Sequence, residues 1–239
     1  LETKKVEWQL VILVCSIIII MIMGVRQSLG LFLEPITNFM NSGKEFFSFA
    51  IGVQAIIWGL VTFFLGILID KFGPQKVLAF GIISFASGIF LMSNPTSEFT
   101  LFSATTLMGF GLGGAGMATM VSIAGKVAPV NKRSLAMGLV AAAASFGQFA
   151  VVLPTMWMNK EFGWETSLIV LASVVIGLLI FLPLLNSTNN KSSSAQDFGN
   201  SLQQTIMFSL REKNYILLIS GFFVCGFHVT FIALHLPAD

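Results

Sequence analysis

Long apolar runs, each closed by a short polar or Gly/Pro-containing break, recur along the whole chain. A helix crossing the hydrocarbon core of a bilayer needs about 20 mostly apolar residues. Seven stretches meet that requirement: Gln9–Phe32, Phe47–Ile69, Val77–Met92, Phe99–Gly125, Ser134–Met158, Thr166–Leu185 and Asn214–Leu236. Their apolar residues are continuous rather than alternating, which predicts helices and not barrel strands. The breaks lie at Glu34-Pro35, Asp70 to Pro74, Asn94-Pro95, Pro129 to Arg133 and Lys160 to Glu165. After the sixth run a polar linker begins at Asn186, and an i, i+4, i+8 stripe of Leu202, Ile206 and Leu210 predicts a short amphipathic helix on the membrane surface. The chain thus divides into six spans (residues 1–186), a loop (187–213) and a seventh span (214–239).

Composition agrees with this all-α membrane reading. Apolar residues make up 55% of the 239 and charged residues 10%, where a soluble domain carries about 25% charged. The net charge of +2 is too small to suggest a nucleic-acid partner; the partner this chain asks for is the lipid bilayer. Cys15 and Cys225 sit inside apolar runs and read as buried thiols. The cations also set an orientation, because Lys and Arg accumulate on the cytoplasmic side. Lys4, Lys5, Lys71, Lys76, Lys126, Lys132, Arg133, Lys191, Arg211 and Lys213 share one side, and only Lys44 and Lys160 face the other. The N-terminus is therefore expected in the cytoplasm.

One cation remains, inside the first span. Arg26 lies about 25 Å along the helix from Gln9 at roughly 1.5 Å per residue, in the outer half of the membrane. Charges at such depths are costly and face a cavity or a partner, or snorkel to the outer interface. Glu34 is a poor partner, about 12 Å further along and roughly 80° around the helix. A guanidinium can instead grip a carboxylate with two parallel hydrogen bonds. Other polar groups at membrane depth are Gln54 and Trp58, i and i+4 on one face of the second span, Gln148 in the fifth and His228 in the seventh. Each can line a cavity or pack between helices; His228 could also carry a proton near neutral pH. His228 and His235 share a face, but no further ligands make a metal site, and no cofactor is expected. Paired carboxylates and a Ser/His/Asp set are missing from the apolar region, so the chain does not read as an enzyme. Gly111-Leu112-Gly113-Gly114-Ala115-Gly116 is formally GxGxxG but follows no strand; Gly109, Gly113 and Gly116 read as close helix packing.

Two loop sequences are more specific. Between spans two and three stands Gly66-Ile67-Leu68-Ile69-Asp70-Lys71-Phe72-Gly73-Pro74-Gln75-Lys76. Gly66 would permit close approach of a helix, Asp70 would pair with a cation or cap a helix, and Gly73-Pro74 would make the turn. The order resembles the signature cytoplasmic loop of the major facilitator superfamily, with Gln75 where a second basic residue is common. Asn131-Lys132-Arg133-Ser134-Leu135-Ala136-Met137-Gly138, opening the fifth span, resembles the fifth-helix motif of monocarboxylate transporters, without its upstream aromatic pair. Gly24-Val25-Arg26-Gln27-Ser28-Leu29-Gly30 is similar to bacterial monocarboxylate and oxalate–formate-type carriers.

The resemblance implies the major facilitator fold: an N-terminal six-helix half plus the first helix of a second half, with the remaining C-terminal half missing. It implies a secondary carrier in the bacterial inner membrane that moves a small organic anion by alternating access, as a proton symporter or an anion exchanger. Arg26, Gln54, Trp58, Gln148 and His228 would then be substrate-binding residues. Gly66, Asp70, Lys71, Gly73 and Lys76 would form a gating loop, and Lys132, Arg133 and Gly138 the fifth-span motif. Halves of this superfamily are repeats. At an offset of 202 residues Gly24 aligns with Gly226, Arg26 with His228, Ser28 with Thr230 and Pro35 with Pro237. A drug–proton antiporter is the nearest alternative, but Val151-Val152 stands where that group has Gly-Pro. A seven-span receptor has its N-terminus outside, and a retinal protein needs a lysine that span seven lacks.

Overall fold

The computed structural model describes residues 8–188 and a subset of residues 212–228. Six helical stretches among the described residues are long and apolar enough to cross a bilayer. The first contains α1 (Trp8–Gln27) and α2 (Leu33–Met40), joined by a 3₁₀ turn, Ser28–Phe32. The second is α3 (Lys44–Phe72) and the third α4 (Pro74–Met92). The fourth is split into α5 (Glu98–Ala115) and α6 (Met117–Val127). The fifth holds α7 (Arg133–Ala150) and α8 (Val152–Phe162) after a 3₁₀ turn at Val130–Lys132, and the sixth holds α9 (Trp164–Gly177) and a 3₁₀ segment, Leu178–Thr188. In the seventh predicted span, the described residues from Asn214 to His228 are helical; its remainder, the linker from 189 and the amphipathic stripe lie outside the described residues.

Two boundaries differ from the sequence reading. Glu34-Pro35 does not end the first span. Pro35 occupies the first turn of α2, where its missing N–H costs no intrahelical bond, so the span continues to Met40. The helix α3 runs on past the apolar stretch, which ends at Gly66, through Asp70 and Lys71 to Phe72, and the turn is a single residue. Gly73 takes φ 85° and ψ 155°, a region that side chains disfavour, and Pro74 opens α4 at its first helical position. The turn at Gly73-Pro74 is as expected.

The bundle is held by close backbone contacts. α5 packs on α4 and α3, α1 packs on α7, and α9 packs on α4. A Cβ at Gly24 would meet the Gly147 carbonyl and Val151, and one at Gly147 would meet the Ile20 backbone, so α1 and α7 approach as only glycines permit. Ile18, Ile19, Ile22, Phe32, Phe47, Phe85, Ile82 and Leu78 are fully buried between the helices. Burial is unequal: 67% of the fourth span's apolar window is covered, against 22% of the second and 28% of the fifth. Spans two and five therefore turn wide apolar faces outward, including Ile56, Leu60, Phe64, Leu135, Leu139 and Phe146.

Candidate functional site

The structure brings together residues from the first, second and fourth spans. Trp58 is the middle residue of α3, and the Arg26 guanidinium carbon lies 4.8 Å from the centre of its ring. That is a cation–π contact across two helices. Gln54, one turn from Trp58 on the same face, is only 2% exposed, and its Nε2 has no hydrogen-bond partner among the described residues. Beside Arg26, the buried Oε1 of Gln27 likewise has none. Glu34, the nearest acid in sequence after Arg26, is engaged elsewhere, accepting a 2.8 Å hydrogen bond from Lys44 Nζ at the exposed end of the bundle. Among the described residues no ion pair or hydrogen bond neutralises Arg26.

Backbone irregularities converge on the same place. Directly after Arg26 the first span tightens into its 3₁₀ turn, where Ser28 Oγ donates to the Gly24 carbonyl at 3.0 Å. The fourth span breaks at Gly116, which is extended (φ −83°, ψ −170°) between two helices. A Cβ at Gly116 would lie 3.3 Å from Trp58 Nε1. The sequence reads Gly116 as a packing glycine like Gly109 and Gly113. Those two do fit against Gln54, Ile57 and Val61 of α3, but Gly116 is a helix break. Non-helical backbone at membrane depth is tolerated where protein buries it or where it lines a water-filled cavity.

The other expected residues lie apart from this cluster. Gln148 is half-buried on α7 next to Gly147, and no described hydrogen bond or ring contact joins it to Arg26. His228 is exposed and donates from Nδ1 to the Val224 carbonyl of its own helix at 3.1 Å. In the cytoplasmic-loop motif, a Cβ at Gly66 would meet nothing within 4 Å, so the close approach expected there is not made by any described helix. Lys76 is exposed on α4. The side chains of Asp70 and Lys71, like Cys225 and His235, lie outside the described residues. Gln75 donates to the Leu182 carbonyl at 2.6 Å and ties the start of α4 to the end of the sixth span. In the fifth-span motif, Lys132 Nζ sits 5.4 Å from the Trp8 ring and Arg133 begins α7, while Gly138 faces open space. Sequence reasoning missed Gln27 and the Gly116 break. An amide beside an arginine was visible, but nothing in a glycine-rich run says which glycine leaves the helix.

Fold and site together define an integral membrane protein: a bundle of bilayer-length helices with a charged group at depth. A profile of the Major Facilitator Superfamily matches residues 13–238, and the chain belongs to that superfamily. It is 26% identical over 242 residues to the uncharacterized MFS-type transporter YcxA of Bacillus subtilis, covering 98% of this chain and 58% of that protein. It is 27% identical over 179 residues to the agnestins efflux protein AgnL12 of Paecilomyces divaricatus, covering 74% of this chain and 38% of that protein. An uncharacterized transporter of Buchnera aphidicola matches at 23% over 239 residues, 98% of this chain and 59% of its own length. The chain therefore spans less than two thirds of the length of these relatives.

Proposed function

We propose that this chain is the N-terminal six-span half, the inter-half loop and the seventh span of a secondary carrier that moves a small organic anion, a monocarboxylate, by alternating access. The observation that carries the reading is Arg26, held over Trp58 at membrane depth with no acid against it among the described residues. Magnitudes decide what this means. A desolvated ion loses several kcal/mol of hydration, and a cation–π contact returns only about 2 kcal/mol. The remainder must come from water or from an anion entering from a cavity, and a carboxylate matches the guanidinium fork. The missing half would close the cavity from the far side, and rocking of the halves would expose it to each face in turn. The loop from Gly66 to Lys76 acts at the cytoplasmic gate, and His228, aligned with Arg26 in the repeat, is the candidate for a coupled proton. The N-terminus lies in the cytoplasm of a bacterial inner membrane.

The test is uptake of radiolabelled acetate, lactate, pyruvate and oxalate into vesicles holding the carrier. Arg26→Ala abolishes uptake with insertion intact. Arg26→Lys restores it in part, since an ammonium keeps the charge and loses the planar fork. A folded alanine variant that binds the anion normally would make Arg26 structural. A second reading, export of a different small molecule, draws on the efflux protein among the relatives. Substrate movement only out of the cell, with none of the four anions carried, would favour it.

A further inference from the structure

We infer that the corner between α6 and α7 holds the headgroup of an anionic phospholipid. This rests only on the chain being embedded in a membrane and is independent of the anion that Arg26 is proposed to bind. The corner is a tight turn. After α6 ends at Val127, Ala128 and Pro129 take extended backbone, and a 3₁₀ turn over Val130–Lys132 leads into α7. It sets two bases side by side at the end of the bundle. Lys132 and Arg133 are both exposed, and neither is paired with an acid among the described residues. Neither base steadies its own helix, because cations at a helix start oppose the macrodipole. Lys132 Nζ instead lies 5.4 Å from the centre of the Trp8 ring, which ties the turn to the start of α1. The stem of Arg133 is braced on α6, its Cγ 4.0 Å from the Cβ position of Gly125.

Apolar side chains flank the two bases. Val130, inside the turn, is 86% exposed, and no described large hydrophobic residue is more so. Leu135 and Leu139 face outward on the first turns of α7. Tryptophan rings favour the headgroup level of a bilayer, and an apolar residue beside bases suits the boundary between headgroups and acyl chains. The tendency of cations to gather on one side of a membrane accounts for the sign of the charge here. It does not account for an exposed valine set beside a tryptophan and two bases. A free phosphate would use the bases alone, whereas a phospholipid also covers Val130 and Leu135, so the apolar flanks select the lipid. Basic recesses at the ends of membrane helices bind acidic headgroups. A zwitterionic headgroup brings its own ammonium, which the bases repel; phosphatidylglycerol, with net negative charge, fits.

Native mass spectrometry of the carrier in detergent, titrated with phosphatidylglycerol or with phosphatidylcholine of the same chains, tests this. A base at a membrane surface contributes about fivefold to the affinity for an acidic lipid. Lys132→Gln combined with Arg133→Gln should therefore weaken the phosphatidylglycerol adduct about 10- to 30-fold, to the level of phosphatidylcholine. Lys132→Arg combined with Arg133→Lys keeps both charges and should keep the adduct. Lys160→Glu, exposed at the opposite end, makes the same change in net charge as the double glutamine variant and should bind like the parent. The inference is overturned if the double glutamine variant binds phosphatidylglycerol like the parent, if the parent holds phosphatidylcholine as tightly, or if Lys160→Glu weakens the adduct equally. Displacement of the lipid by millimolar inorganic phosphate would also overturn it, making the corner a free-phosphate site. Should the double glutamine variant fail to fold, the two single changes decide: each should cost about fivefold, and unchanged affinity in both overturns the inference.

Discussion

At the scale of the residue, Gln54 offers the cleanest separation of function from folding. A buried donor without an acceptor costs about 1–3 kcal/mol, and its retention at membrane depth needs a reason outside stability. Gln54→Met keeps the length and removes the amide. The thermal midpoint of the purified carrier should stay level or rise, while anion uptake falls several-fold. A lower midpoint with normal uptake would make Gln54 a packing residue with a partner beyond the described residues. Trp58→Leu removes the ring under Arg26, a contact of about 0.5–2 kcal/mol, and should weaken anion affinity roughly 2- to 30-fold; titration of the variant checks it. These residues were legible as candidates because amides, an indole and a guanidinium are conspicuous in apolar runs. That Arg26 and Trp58 meet was not legible, because nothing along one chain says which faces of two helices touch.

At the scale of the element, glycines divide into two kinds. Gly147 carries the α1–α7 contact, and an added side chain runs into the Ile20 backbone. Gly138, about two and a half turns earlier on α7, faces open space. Gly147→Leu should therefore prevent recovery of folded protein, and Gly138→Leu should leave the six-span bundle intact. Monodispersity of the two purified variants in detergent distinguishes them; equal behaviour would contradict the contact. The existence of the six described spans was legible from run length alone, because the hydrocarbon thickness fixes it. The internal breaks were not. Leaving a helix at Gly116, or tightening to 3₁₀ after Arg26, is decided by neighbouring helices and by side-chain hydrogen bonds such as Ser28 to Gly24. Hydropathy averages over such local events.

At the scale of the whole molecule, the proposed orientation, with the N-terminus in the cytoplasm, rests on cations gathered on one side of the spans. Cysteines placed singly at the exposed positions Lys160 and Lys76, in a background with Cys15 and Cys225 changed to serine, should differ. Lys160→Cys should react with an impermeant thiol reagent added to whole cells, and Lys76→Cys only after the membrane is opened. The reverse pattern would invert the topology. Spans two and five leave most of their apolar residues uncovered by the other described helices.

The bond from Gln75 to Leu182 has a consequence in ionic strength. Salt weakens attraction between exposed charges over a Debye length of about 8 Å at physiological concentration, but hardly affects an amide donating to a carbonyl. Gln75 stands where related loops commonly carry a base, and it fastens the corner where the chain leaves the sixth span. A neutral fastener holds that corner alike in dilute and concentrated salt. Gln75→Lys should make the thermal midpoint of the purified protein vary with potassium concentration where the parent's does not.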